Sequence, residues 1–145
     1  MKEYERKLLL ERIDREGATV GASIPDRIDV QGTEVDLKEF VFEIKRRDTV
    51  PEGEREKVEQ AKRNLRREKI ERRELIEENE VTFEEGEDLA EAIIGIDRAL
   101  EALQSLGSAN IEGEIQAKEA ADQKRWMGFL KKVLGKDSGP RLGGR

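Results

Sequence analysis

The sequence predicts a mainly α-helical protein, a small helical bundle of about five helices with one N-terminal β-hairpin, and three observations lead there. The stretch LAEAIIGIDRALEALQSL, Leu89 to Leu106, puts Leu89, Ile93, Ile96, Leu100 and Leu103 on one face at 100° per residue, with Ala92, Ala99 and Leu106 widening that face. Such a stripe must be covered, which makes this the expected central helix. Only 35% of residues are hydrophobic and 43% are charged, so the core must be lean, aliphatic and shared among amphipathic helices. Only Asp26 to Asp36 alternates with the period of a strand, as Ile28 and Val30 are answered by Val35 across Gln31-Gly32.

Taken in order, Lys2 to Glu16 reads as a helix. Its apolar residues Tyr4, Leu8, Leu9, Leu10 and Ile13 spread too widely for a clean stripe, so one flank is expected to face solvent. Gly17 is a plausible stop, and Gly17 to Ser23 is small and permissive. The hairpin follows and must lie against a helix, because an isolated hairpin is marginal in water. Asp36 and Glu39 have the spacing of a capping box, opening a helix whose face is Leu37, Phe40, Val41 and Ile44. Lys45, Arg46 and Arg47 end it, a cationic last turn that complements the helix dipole.

Thr49 to Glu52, with Pro51 between, marks the start of a long helix reaching Asn79, about 40 Å at 1.5 Å per residue. Its apolar line, Val58, Ala61, Leu65 and Ile76, is narrow, and Asn79 suits the left-handed conformation that closes many helices. Thr82 and Glu85 form a second capping box opening the central helix, which Gly107 ends. A last helix should start near Asn110 and run to about Leu134, closed by Gly135. Residues 1–136 are thus expected to form a single α-rich domain, and residues 137–145, rich in Gly and charge, a disordered tail. Short connections predict antiparallel neighbours.

The 145 residues contain no Cys and no His. That removes disulfides, Cys/His zinc sites, Ser-His-Asp and Cys-His catalysis, and the usual general base near neutral pH. No apolar run approaches the ~20 residues of a membrane span, and the charged MKEYERK start lacks a signal-peptide core, so a cytoplasmic location is expected. Lys and Arg number 28 against 34 Asp and Glu, a net charge of −6 that does not by itself suggest a nucleic-acid protein.

Three surfaces could carry chemistry. On the long helix, Arg55, Lys62, Arg66, Lys69 and Arg73 project within about 60° of one another, beside the apolar line, with Glu56, Glu59, Glu71, Glu74 and Glu77 gathered on the far flank. A rigid row of cations could follow a phosphate backbone or meet an acidic protein surface, but a solvated face balanced by nearby glutamates comes first. No aromatic residue interleaves, so base stacking is not indicated. In the last helix, Trp126, Met127, Phe129, Leu130, Val133 and Leu134 oppose Lys124, Arg125, Lys131, Lys132 and Lys136. Such helices can lie on anionic membrane or dock in a groove. With so few aromatic residues available, the apolar side is expected to close the core over the central helix. Glu84, Glu85, Glu87, Asp88 and Glu91 could in principle hold Mg²⁺, although carboxylates in a first turn are also what the dipole favours, so no metal or cofactor is expected. Asp97, at the edge of the apolar face, predicts a partly buried ion pair with an arginine of another helix.

The stretches GATVGASIP (Gly17 to Pro25), FVFEIKRRDTVPEGER (Phe40 to Arg55), GIDRALEALQSLG (Gly95 to Gly107) and KRWMGFLK (Lys124 to Lys131) together resemble an uncharacterised protein family of halophilic archaea. The resemblance implies a domain of unknown function with no activity or ligand to transfer, in a cytoplasmic archaeal setting. On balance the expected function is a non-enzymatic interaction protein, an adaptor or small regulator with an unknown protein partner or self-association. Nucleic-acid binding through the basic stripe is the alternative, and carboxylate-dependent Mg²⁺ enzymology comes third.

Overall fold

The computed structural model describes residues 1–17, 24–47, 54–106 and 120–135, for the side chains from residue 124 onward in the last segment. Along the chain come α1 (Glu3–Gly17), β1 (Ile28–Val30), β2 (Thr33–Val35), α2 (Leu37–Lys45), α3 (Arg55–Glu77), α4 (Phe83–Gln104) and α5 (Ala120–Leu134). The expected helical bundle and hairpin are both present. The regions expected at 18–23, at Thr49 to Glu52, around Gly107 to Asn110 and in the tail 137–145 lie outside the described residues.

Helix α4 is the centre, packing on α1, α2 and α3. Ile93 and Ile96 are fully buried and Leu100 is 8% exposed. The burial is wider than the stripe predicts: Ile94, Gly95, Arg98 and Ala102 are buried too, and between Ala90 and Leu103 only Glu91, Asp97 and Glu101 reach solvent. A helix covered on nearly every side is what an apolar composition spread around the axis requires. The core has a large cluster joining the hairpin, α2, the first half of α3, the second half of α4 and α5. A smaller cluster joins Leu9, Ile13, Ile76, Ala90 and Ile93. Ile76 meets the start of α4 while Val58, Ala61 and Leu65 meet its end, so α3 and α4 are antiparallel. Helix α1 runs alongside α4 in the same direction and against α3, with Arg73 on Asp14 and Arg6 on the Glu77 carbonyl. Its outer flank, Tyr4 and Leu8, is exposed, as the wide apolar spread implies.

The α3–α4 turn follows its local signals. Asn79 adopts φ 56°, and its side chain also grips Met1, accepting from the N-terminal ammonium (3.0 Å) and donating to the Met1 carbonyl (2.8 Å). Thr82 and Glu85 form the full reciprocal capping box, at 3.1 and 3.0 Å. Thr82→Ala is expected to destabilise the protein by about 1 kcal/mol, read as a lowered midpoint in urea unfolding.

The hairpin register pairs Ile28 with Val35 and Val30 with Thr33. Gln31 (φ 48°) and Gly32 (φ 87°) both take the positive φ of a type I′ turn, which glycine adopts freely and glutamine does not. Gln31 is held there by α3: its backbone N–H and its Nε2 donate to Glu68 at 2.9 Å, and Nε2 also to Glu71 at 3.1 Å. Arg72 adds a bond to the Asp29 carbonyl at 2.8 Å.

Two expectations are corrected. Asp36 stands at the start of α2 but makes no side-chain cap. Its carboxylate is taken by Arg27 and by Lys132 of α5, both at 3.1 Å, and a side chain pulled to another helix cannot also reach its own N3 amide. The hydrogen bond from Lys132, reinforced by Arg27, holds the Asp36 carboxyl below its ordinary range. A depressed carboxylate contributes stability that is present above its unfolded pKa and lost as pH falls through the folded one. Asp36→Asn should therefore destabilise at neutral pH and converge with the parent protein under acid, in urea melts run across pH 2–6. Second, α5 packs chiefly on α3 and β2 rather than over α4. Its buried residues Trp126, Leu130 and Val133 close the core from the α2–hairpin side, with Phe40 and Trp126 stacked at 6.3 Å and 21°. Asn64 of α3 ties down the end of α5, donating to the carbonyls of Val133 and Leu134 at 3.0 Å.

Candidate functional site

Helix α3 buries only the line Val58, Ala61, Asn64, Leu65 and Ile76, leaving most of its circumference outside the core. The basic stripe lies next to that line, so the helices flanking the core can reach it. They do so with carboxylates. Lys69 Nζ sits 2.6 Å from Asp97 of α4, and Arg73 donates to Asp14 of α1 at 3.1 Å and to Glu77 at 2.9 Å. Lys62 pairs with Glu59 at 3.1 Å on its own helix. Arg55 and Arg66 are exposed and have no carboxylate within 4 Å among the described residues. The structure thus brings Arg66, Lys69 and Arg73 together at one groove and leaves Arg55 and Lys62 farther along the helix.

That groove encloses about 480 Å³ between α1, α3 and α4. Arg66, Lys69 and Arg73 form one wall; Asp97, Glu101 and Gln104 of α4 form the other; Asp14 and Gly17 close one end, and Ile13 and Leu100 provide apolar lining. Three cations face three carboxylates, so its formal charge is balanced. Burial works against the charge on Arg73, but the hydrogen bonds to Glu77 and Asp14 outweigh it and raise the guanidinium pKa above its ordinary value. The Asp97 side chain is partly buried, as expected, although its partner is a lysine and not an arginine. A Cβ on Gly17 would come within 2.5 Å of Asp97 Oδ2, so the glycine is what lets the end of α1 approach this ion pair.

No local signal in the sequence indicates Asp14, Gly17, Glu101 or Gln104 as members of this groove. They arrive from other helices, and only the packing brings them in. Ile70 is a further addition: it is 56% exposed, one turn after Arg66 and just before Arg73 on the same side of α3.

The neighbouring charges behave differently. Lys45 and Arg46 are exposed at the end of α2, consistent with a dipole role, but Arg47 turns inward. It is 7% exposed, stacks over Trp126 at 4.5 Å and donates to buried Glu43 at 3.1 Å. Glu43 also receives Arg125 at 3.0 Å and Arg46 at 3.6 Å. Arg98 is buried as well, donating to the Gly17 carbonyl and pairing with Glu101 at 2.9 Å. Glu84, Glu85, Glu87, Asp88 and Glu91 are all exposed, and no group of three or more acidic residues is placed to hold a metal ion among the described residues. Lys124, Arg125, Lys131 and Lys132 lie on the outer side of α5, and Lys136 is outside the described residues. No helix among the described residues is long and apolar enough to cross a membrane.

Residues 1–131 match a family of unknown function (DUF5788), and the chain belongs to that family. No curated protein and no solved structure matches the chain.

Proposed function

We propose that this member of a family of unknown function is a non-enzymatic interaction protein, an adaptor or small regulator that docks a protein partner along α3 at the mixed-charge groove. The observation that supports this reading is the charge balance of the groove. A phosphate backbone laid on Lys69 and Arg73 would also meet Asp14, Asp97 and Glu101, whereas a protein surface can offer both signs and apolar contact. Exposed Ile70, set between Arg66 and Arg73, adds an apolar anchor of the kind found at the centre of protein interfaces. The resemblance of Gly17 to Pro25, Phe40 to Arg55, Gly95 to Gly107 and Lys124 to Lys131 to a family of halophilic archaea supports the further proposal of a cytoplasmic archaeal setting.

The test uses Ile70→Asp combined with Arg66→Glu. Both side chains are exposed, so the fold should be retained by circular dichroism. A photo-crosslinking residue at position 74 in native cells should trap one defined protein, or a second copy of this chain, and the double substitution should reduce that product at least about tenfold. An unchanged product profile would overturn the proposal. Nucleic-acid binding remains the second reading because Arg55 and Arg66 are exposed without ion pairs among the described residues. It requires retention on DNA or RNA that falls steeply with salt and weakens in Arg55→Glu/Arg66→Glu.

A further inference from the structure

We propose that the outer surface of α2 and α5 docks on an anionic lipid bilayer, held by lysines and anchored by Phe42. No acidic residue occurs between Lys124 and Leu134, and Lys124, Arg125, Lys131 and Lys132 are all exposed on the outer side of α5. A Cβ at Gly128, in the middle of that side, would meet nothing within 4 Å among the described residues, so none of them covers it. On α2, Lys38, Lys45 and Arg46 are exposed as well. Two ion pairs join the helices: Arg125 with Glu43 at 3.0 Å, and Lys132 with Asp36 at 3.1 Å. The surface of these two helices thus sets seven cations against Asp36, Glu39 and Glu43, in a chain whose net charge is −6.

Some of these cations serve the fold. Arg46 and Arg125 are held by Glu43, and Lys132 by Asp36. Lys45, Lys124 and Lys131 make no ion pair among the described residues, and Lys38 lies 3.9 Å from Asp26, itself highly exposed. Four exposed lysines are therefore left for an anion outside the protein. Clusters of this size are drawn to the negative potential of an anionic leaflet.

Phe42 is the second observation. At 65% exposure it is more open than any other large hydrophobic residue described. It stands one turn from both Lys38 and Arg46, and the Arg46 guanidinium lies 5.9 Å from its ring centre. Arg46 also reaches Glu43, the carboxylate that receives Arg125, so the ring adjoins the basic face of α5. An exposed phenylalanine among cations presents an apolar group to acyl chains and charge to headgroups. A nucleic-acid strand fits less well. The uncommitted cations are all lysines, flexible point charges suited to a fluid array of headgroups, whereas a bidentate grip on one phosphate favours arginine. A single ring also offers no run of stacking platforms. Around α3, Asn64, which holds the end of α5, and Arg66 of the mixed-charge groove project about 160° apart. A partner in the groove and a bilayer under α2 and α5 therefore do not compete.

The experiment measures co-sedimentation of the full-length protein with phosphatidylcholine vesicles, with and without about 30% phosphatidylglycerol, at about 0.1 M salt. Binding is expected only with phosphatidylglycerol present. Lys124→Glu combined with Lys131→Glu alters exposed positions, should keep the circular dichroism spectrum, and should weaken binding at least about tenfold. Phe42→Ala should weaken it at least about threefold, and Ile70→Asp with Arg66→Glu should leave it unchanged. Absence of binding to anionic vesicles, equal binding to neutral ones, or undiminished binding in the lysine or phenylalanine variant would overturn the proposal. So would tighter binding to a single-stranded oligonucleotide that the same lysine substitutions abolish, which would make this a nucleic-acid face.

Discussion

Replacing Glu43 by glutamine is expected to lower the unfolding free energy by about 3–5 kcal/mol, measured in urea with the emission of Trp126, the only tryptophan, as the probe. Glutamine has nearly the volume and shape of glutamate, so packing is preserved while the charge and one of the two acceptor oxygens are lost. Three guanidinium groups converge on this one carboxylate, which is itself 3% exposed. Arg46 and Arg125 are about half exposed and can turn to water at little cost. Arg47 cannot, because it is buried against the ring of Trp126. The largest part of the cost therefore comes from weakening the buried Glu43–Arg47 pair, and the two exposed pairs should contribute little. Combining Glu43→Gln with Arg47→Met removes both buried charges and should recover a large part of the loss, whereas independent effects would add. A loss below about 1 kcal/mol in Glu43→Gln would mean that Arg47 is satisfied without the Glu43 charge.

The contrast between Glu43 and the capping box at Thr82 shows what a sequence can reveal about this fold. Thr82, Glu85, Asn79 and the Gln31-Gly32 turn act through bonds within a few residues, so their spacing states their structure. The α2 face Leu37, Phe40, Val41, Ile44 and the α4 stripe are legible for the same reason, since helical periodicity is local. Ion pairing is not. Asp36 has the spacing of a cap, yet Lys132 claims it from 96 positions away, and Glu43 receives Arg125 from 82 positions away. The basic stripe was legible as a line of positions, since that depends only on helix geometry. Its electrostatic meaning was not, because Asp97 and Asp14 reach Lys69 and Arg73 through helix packing that no local rule encodes. In a chain with 43% charged residues, almost any cation has a nearby acid in sequence, so proximity along the chain discriminates poorly.

Trp126→Ala should be at least as damaging as Glu43→Gln, at about 3–5 kcal/mol, read by circular dichroism in urea because the fluorescent probe is then gone. The side chain is fully buried, stacks on Phe40 and lies under Arg47. Its Nε1 donates to Glu54 at 2.5 Å, just ahead of α3. Truncation opens a large apolar cavity at the point where α2, α5 and the start of α3 meet, and removes one hydrogen-bond donor from Glu54. Trp126→Phe separates the two contributions: it keeps most of the ring packing and loses the hydrogen bond, so it should cost about 1–2 kcal/mol. Because α5 rests chiefly on α3 and the hairpin, the damage should also be local before it is global. Backbone amides of α5 should lose hydrogen-exchange protection in Trp126→Ala, while those of α1 and the first turns of α4, which belong to the smaller core cluster, keep it. Uniform loss of protection across both groups would instead mean that the two clusters unfold as one unit, and that Trp126 stabilises the bundle as a whole.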